Sequence, residues 1–317
     1  MLTPDISIVI VSWNTADYTL QCVRSIMRHT HEHTLELIVV DNASTDGSAD
    51  AVHAKFPDVC LIRNEKNLGF AKANNLGIRK SSGRYICLIN SDVVVSERCL
   101  DRMCEFMDRQ TSIGILGPKV LNGDSSLQLS CREFPSLWNS FCRALALDSM
   151  FPDLRLFSGS LMRSWTHDRV QPVDVLSGCF WMVRRSALEE VGLLDEEFFM
   201  YSEDVDYCKR CWRDGWEIVY FPDVAIVHYG GASSSHAPVR FEVEGLRARL
   251  RYWRKHHNRA AQMSFVLITL LHQSRKLLQG AIFYILRSSD RKRAASDMQS
   301  SVACGRWLLR SGLPGQR

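Results

Sequence analysis

Two hydrophobic periods alternate through the first hundred residues. Ile6–Ser12 (ISIVIVS), Leu35–Asp41 (LELIVVD), Val59–Arg63 and Tyr85–Asn90 (YICLIN) are short, nearly continuous apolar runs rich in β-branched residues. Such runs read as strands covered on both faces, which need no polar alternation. Between them, Tyr18–Arg28, Ser48–Phe56 and Phe70–Lys80 carry helical patterns, with Gly47 and Gly83 as punctuation. The order β-α-β-α-β-α-β predicts a parallel sheet flanked by helices, because each parallel pair needs a crossover.

Sheets of this kind place ligands at the carboxyl ends of their strands. Three chemically loaded segments border apolar runs: Asn90-Ser91-Asp92 after YICLIN, Glu203-Asp204-Val205-Asp206 after EEFFMY, and His228 in VAIVHY. All three could converge on one sheet edge. A carboxylate and an imidazole suit a divalent metal, and a second carboxylate suits a base. The first strand is followed by SWNTADY, with no G-x-G-x-x-G, and no G-x-x-x-x-G-K-[ST] occurs. A dinucleotide dehydrogenase and a P-loop enzyme are therefore both disfavoured.

The net charge of +4 conceals an acidic body and a basic tail. Residues 240–317 hold 16 Lys and Arg against 4 Asp and Glu, a net of +12, while residues 1–239 carry −8. The expected division is a catalytic domain at 1–239 and a basic helical extension at 240–317. Eleven cysteines without framework spacing read as reduced thiols of a cytosolic protein. Cys208 and Cys211 form a C-x-x-C, but no second pair accompanies them, which favours two cysteines on a helix face. Pro4 and Asp5 precede a strand pattern rather than a signal peptide.

The ordered series VSWN, VVDNASTDGS, NEKNLGFAKANNLGI, LINSDVVV, SGCFWMVRRSALEEVGLLDEEFFMYSEDVDYCKR and VAIVHYGG, over residues 5–235, resembles family-2 glycosyltransferases. More narrowly, it resembles the rhamnosyltransferase-like branch of polysaccharide and cell-wall assembly. The resemblance implies a GT-A fold with a mostly parallel central sheet, a nucleoside-diphosphate-sugar donor and an inverting mechanism.

It also assigns roles residue by residue. Asp41 would accept the imide N–H of uracil or thymine, the alternative being a turn aspartate bonding its own backbone. Val11, Ser12 and Asn14 would line the same pocket, as would Asn67, Phe70 and Asn74, unless Phe70 is simply a core residue beside a helix cap. Asn90 stands where the family has the first Asp of Asp-x-Asp, and it can still hydrogen-bond a ribose hydroxyl or a metal-bound water. Asp92 and His228 would hold Mg²⁺ or Mn²⁺. Asp204 would be the general base, in a helix opened by Glu203-Asp204 with Ser202 as its N-cap. Trp181, Arg184, Tyr201 and Glu203 could face the acceptor, although FWMV also reads as a buried strand.

The sequence thus predicts a metal-dependent transferase moving rhamnose or a similar sugar from a dTDP or UDP donor to a saccharide or polyprenyl-linked acceptor. A non-catalytic carbohydrate-binding or scaffold protein is the alternative, yet it has no use for Asp92, Asp204 and His228 together. A sugar-nucleotide pyrophosphorylase lacks its Gly-rich, Arg-containing loop here, and no nucleic-acid motif accompanies the basic tail. In the tail, Val243, Leu246, Leu250 and Trp253 share one helical stripe beside Arg247, Arg251, Arg254 and Lys255. That pattern fits an interfacial helix on an anionic membrane, a helix packed on the protein, or a homodimer contact. Phe265–Leu286 is long enough to span a bilayer, but Arg275 and Lys276 at its centre favour a peripheral position on the cytoplasmic face.

Overall fold

The structure is a computed structural model that describes residues 3–157, 159–231, 238–286 and 291–311. In chain order the elements begin β1 (Ile6–Ser12), α1 (Ala16–His29), β2 (Leu35–Asp41), α2 (Ser48–Lys55), β3 (Cys60–Arg63), α3 (Phe70–Lys80) and β4 (Tyr85–Asn90). They continue with β5 (Val93–Val95), α4 (Cys99–Arg109), β6 (Ile113–Leu121), β7 (Cys131–Arg132), α5 (Leu137–Leu145), α6 (Leu147–Met150) and β8 (Gln171–Pro172). Next come β9 (Val175–Leu176), β10 (Phe180–Arg184), α7 (Arg185–Val191), α8 (Glu203–Arg213) and β11 (Glu217–His228). Three long helices follow: α9 (Pro238–His256), α10 (Arg259–Leu286) and α11 (Arg291–Ser311). The seven alternating elements expected at the amino end are present, with α1, α2 and β3 differing by a residue or two at their ends.

The chain divides into two compact units. One comprises Met1–Glu133, Thr166–Phe199 and Glu203–Ser233; the other comprises Phe134–Trp165, Met200–Ser202 and Ser234–Arg317. A single cut at residue 239 is thus too simple, because Phe134–Trp165 groups with the carboxy-terminal helices.

The first unit is built on a sheet ordered β3-β2-β1-β4-β10-β6-β11-β5, with β8 paired to β11. The strands β1 to β4 are mutually parallel, as are β6 and β11, whereas β10 runs antiparallel to both β4 and β6. Ile6, Ile8 and Ile10 of β1 and Tyr85, Cys87 and Ile89 of β4 are buried together with Val23 and Ile26 of α1. This burial on the sheet faces is what the unbroken apolar runs require. Cys208 and Cys211 are buried on α8, and burial holds both thiols above the usual range, so the C-x-x-C is part of the packing.

The second unit is helical. The apolar stripe of α9 is turned inward: Leu246, Leu250 and Trp253 are buried, and the Trp253 ring stacks on Phe265 of α10 with centroids 4.9 Å apart. The α9 stripe is therefore packing, one of the three readings its sequence pattern left open. The exposed apolar row belongs instead to α10, where Met263, Leu267, Leu271, Leu278 and Ile282 recur at helical spacing. Among the described residues no helix is long and apolar enough to cross a membrane.

Candidate active site

Because β1, β2 and β4 point the same way, their ends meet at one edge: Ser12 pairs with Asp41, and Val11 pairs with both Val40 and Asn90. The chain builds outward from β1 through β2 to β3, then crosses back to place β4 on the other side of β1. Reversals of this kind open a crevice at the strand ends.

Asp92 and His228 are brought together by a hop in the chain. Immediately after Asp92 it enters β5, which pairs antiparallel with β11 so that Val93 faces His228. The Tyr229 N–H then donates to the Asp92 carbonyl at 3.1 Å. Nε2 of His228 lies 3.3 Å from Oδ1 of Asp92, and the Asn90 side-chain amide donates to the same nitrogen at 3.3 Å. The other ring nitrogen, Nδ1, donates to Oε1 of Gln128 at 2.6 Å. Gln128 is itself oriented, since its amide N–H donates to Asn122 Oδ1 at 2.7 Å and to the His228 carbonyl at 3.2 Å. Its oxygen must therefore accept, which fixes the imidazole proton on Nδ1 and leaves Nε2 with its lone pair.

This donor set fits a divalent cation. Two neighbouring ligands each about 2.1 Å from one metal stand about 3 Å apart, close to the observed separation. Among the described residues no group of three or more His, Cys, Asp or Glu could hold a metal.

Asp41 is buried, and its two carboxylate oxygens differ. Oδ2 accepts the Ser44 N–H at 3.2 Å, while the buried Oδ1 has no partner. The turn reading and the base-contact reading thus each find an oxygen. Asn14 adopts φ +52°, gives its N–H to Ser44 Oγ at 3.0 Å and accepts the Thr45 N–H at 2.7 Å, tying the ends of β1 and β2 together. Ser12 turns its hydroxyl toward α1, where it meets Thr19 Oγ1 at 2.8 Å, so its side chain belongs to a hydroxyl cluster with Thr15 and Ser91.

The loop before α3 is organised by Asn42, which the sequence reading missed. Its amide donates to Asn67 Oδ1 at 2.8 Å and its oxygen accepts the Leu68 N–H at 2.9 Å. Asn67 is therefore a loop staple that also accepts the Gly69 N–H at 2.9 Å. At Gly69, φ is +83° and an added Cβ would overlap the Phe199 carbonyl oxygen, so glycine is required twice over. The Phe70 N–H donates to that carbonyl at 2.6 Å. Asn74 donates to the Phe70 carbonyl at 2.9 Å, and the adjacent Asn75 anchors Leu194 instead.

Asp204 stands in the first turn of α8. Its Oδ2 accepts the Gly178 N–H at 3.4 Å and its Oδ1 the Val205 N–H at 2.8 Å. Gly178 adjoins Cys179, whose carbonyl accepts the Asn90 N–H at 2.9 Å, and a Cβ on Gly178 would also approach Phe70. One short segment therefore links Asp204 to the Asn90 edge and to Phe70. The Cys179 thiol is pushed up to about 12 by burial first, and it feels both Asp92 and Asp204.

Glu203 is buried with Oε2 unpartnered. Burial first, then the neighbouring Asp204 charge, raise its carboxyl well above the usual glutamate range, against the opposing effect of Arg132. Asp206 pairs with Arg210 at 3.0 Å, and Arg210 reaches the Val191 and Leu193 carbonyls, which makes this pair a brace.

Two expected acceptor residues are displaced. Trp181 is buried in β10, donating to the Leu176 carbonyl at 3.2 Å and stacked on Tyr207. Arg184 pairs with Tyr85 at the opposite end of β4 from Asn90 and donates to the carbonyls of Ile113, Met107 and Gln110. The antiparallel direction of β10 carries it away from the crevice. Tyr201, with φ +70°, sets its ring edge-on to Phe241 in the helical unit.

A parallel half-sheet, completed by a mixed half and an Asn-x-Asp at the crevice, is the GT-A architecture of glycosyltransferases. The chain belongs to glycosyl transferase family 2, whose domain matches residues 7–192. It is 29% identical over 248 residues to the N-acetylglucosaminyl-diphospho-decaprenol L-rhamnosyltransferase of Mycobacterium tuberculosis, covering 75% of this chain and 80% of that one. It is 27% identical over 255 residues to the dTDP-rhamnosyl transferase RfbF of Shigella flexneri, covering 75% and 77%. Its fold is similar to that of the mannosyltransferase PcManGT from Pyrobaculum calidifontis, solved with GDP-Man and Mn²⁺. That likeness has a TM-score of 0.54 at 17% identity, covering 98% of this chain and 88% of the other.

Proposed function

We propose that this glycosyltransferase is metal-dependent and inverting, and that it moves rhamnose or a similar deoxyhexose from a dTDP or UDP donor to a lipid-linked saccharide. The observation that carries the reading is the Asp92–His228 pair beside Asn90, at the crevice that also holds Asp41 and Asp204. The unpartnered Oδ1 of Asp41 is suited to the imide N–H of a uracil or thymine ring. Asn14 and the Asn42–Asn67 loop shape the wall of that pocket, and Phe70 and Asn74 border it. Asp92 and His228 would hold Mg²⁺ or Mn²⁺, which when bound neutralises charge on the departing nucleoside diphosphate.

Asp204 takes the proton from the acceptor hydroxyl as that oxygen attacks the anomeric carbon on the face opposite the leaving group, so the configuration inverts. Two backbone N–H groups hold its carboxylate in position. Burial and the neighbouring Asp204 hold the Glu203 carboxyl well above the usual glutamate range, which disfavours a second negative charge beside the base. The rhamnosyl transferases named above support the donor and acceptor classes. The exposed apolar row of α10, together with the basic tail, supports a peripheral position on the cytoplasmic face of an anionic membrane.

The deciding experiment is a screen of dTDP-, UDP- and GDP-sugars for nucleoside-diphosphate release, with and without Mn²⁺, using a polyprenyl-diphosphate-linked N-acetylglucosamine as acceptor. Metal-dependent turnover of dTDP-rhamnose with formation of the opposite anomer is the expected outcome. Turnover undiminished by EDTA, or retention of configuration, would overturn the mechanism.

A further inference from the structure

The helical unit gathers cations where three of its helices meet. On α10, His272, Arg275 and Lys276 share one face at i, i+3 and i+4, a spacing at which like charges repel. Arg275 reaches α5, donating from Nε to the Ala144 carbonyl at 2.7 Å and from Nη2 to the Arg143 carbonyl at 3.5 Å. Lys276 reaches α9, with Nζ 3.9 Å from Glu242. Two turns along α9 from Glu242, on the same face, stands Arg249, and Arg143 closes the group from α5.

The group is electrically unbalanced. Glu242 offsets Lys276, and Arg275 is spent on carbonyls at the carboxyl end of α5, but Arg143 and Arg249 have no ion pair among the described residues. Burial first, then Arg143, bring the Arg249 guanidinium down to about 10, against Glu242 and Cys304. Burial first, then Arg143, Arg275, Lys276 and Arg249, hold the His272 imidazole down at about 4. His272 Nδ1 is buried without a partner. A partly buried guanidinium such as that of Arg249 is costly without a counter-ion, and an anion of matching charge relieves that cost.

We infer that Arg143, Arg249, His272 and Lys276 form an anion site for the diphosphate of a lipid-linked group. Two uncompensated guanidinium charges match the two negative charges of a diphosphate diester, whereas a phospholipid monophosphate supplies one. Arg143 and Arg249 would bind the phosphoryl oxygens through paired N–H donors, with Lys276 and a ring nitrogen of His272 completing the set. The inference rests on the proposed transfer to a lipid-linked acceptor only in naming the source of the diphosphate.

The test uses the full chain with its donor pocket saturated by dTDP and Mg²⁺, so that any remaining diphosphate site is read separately. The imidazole NMR signals of His272, assigned with His272→Gln, are followed at neutral pH during titration with inorganic pyrophosphate. A saturable shift is expected, weakened about tenfold by Arg143→Gln or Arg249→Gln, each losing charge-assisted hydrogen bonds. Arg143 is exposed, so its variant guards against a folding artefact at Arg249. In neutral detergent micelles, a polyprenyl diphosphate should reproduce the shift and phosphatidylglycerol should not. No response of His272 to pyrophosphate would remove the site, and an equal response to phosphatidylglycerol would overturn the diphosphate assignment. Donor hydrolysis by the unaltered chain tests the transferase reading on its own.

Discussion

Nε2 of His228 stands 3.3 Å from Oδ1 of Asp92, while Gln128 holds the opposite ring nitrogen at 2.6 Å. The glutamine thus decides which nitrogen offers its lone pair, as outer-shell partners of metal-binding histidines commonly do. Asp92→Ala is expected to abolish turnover and weaken donor binding. Gln128→Ala, which touches neither ligand chemistry nor substrate, is expected to weaken Mn²⁺ binding by about 10–100-fold. Calorimetric titration of Mn²⁺ with dTDP present checks both; an Asp92→Ala protein fully active in excess EDTA would exclude the metal.

Asp204→Asn preserves size and one of the two backbone contacts, since its amide has a single acceptor oxygen, but it cannot take up a proton. A loss of about 10²–10⁴-fold in kcat is expected, with donor affinity little changed. Single-turnover kinetics alongside donor titration separate the two quantities. Lost donor binding with near-normal kcat would move Asp204 into the donor pocket.

The raised Glu203 carboxyl gives stability a pH dependence of definite sign. Unfolded, the group titrates near 4.5, and folded it titrates well above that, so the folded state holds the extra proton in between. Its contribution is complete below the unfolded value and is lost as pH rises through the folded one. Glu203→Gln is neutral at every pH and should escape that loss. The melting-temperature difference between variant and parent should therefore grow in favour of the variant as pH rises above the unfolded value of 4.5 and through the raised folded one. A difference independent of pH would mean that Glu203 is charged in the folded protein.

Gly69→Ala tests the loop that leads into α3. The new methyl group meets the Phe199 carbonyl at a positive φ, so a loss of about 2 kcal/mol or more is expected in urea unfolding. Gly47 also has positive φ but open space around its Cβ position, and Gly47→Ala should cost less, about 1 kcal/mol.

The strands most legible in the sequence are the buried ones, whereas β3, at the sheet edge, is short and partly exposed. β1, β2 and β4 declare themselves through unbroken apolar runs, and Asp41, Asn90 and Asp92 follow from their ends. Strand pairing is a tertiary matter, however, and no local pattern reports that β10 enters antiparallel between β4 and β6. That insertion sends Arg184 to the far end of the sheet. Ser12 was placed at the correct strand end, but the periodicity of β1 does not reveal the Thr19 hydroxyl that captures its side chain. Gln128 sits in a polar stretch without periodicity, and Asn42 is hidden inside a turn signature, so neither carried a signal of its own. Asp206 did carry one, since an arginine four residues later marks a helical ion pair.

The hop from β4 to β5 has a consequence for how the protein assembles. Asn90 and His228 lie 138 positions apart, and the chain between them supplies most of the second half of the sheet. Asp92 and His228 are therefore brought together by contacts of very long range, which form late because loop entropy must be overcome first. A parallel half-sheet folded alone could carry Asp41 and Asp92, yet it would lack His228. Divalent-metal affinity in this chain should consequently appear only when the two halves have joined, and bound metal should stabilise the joined state by mass action.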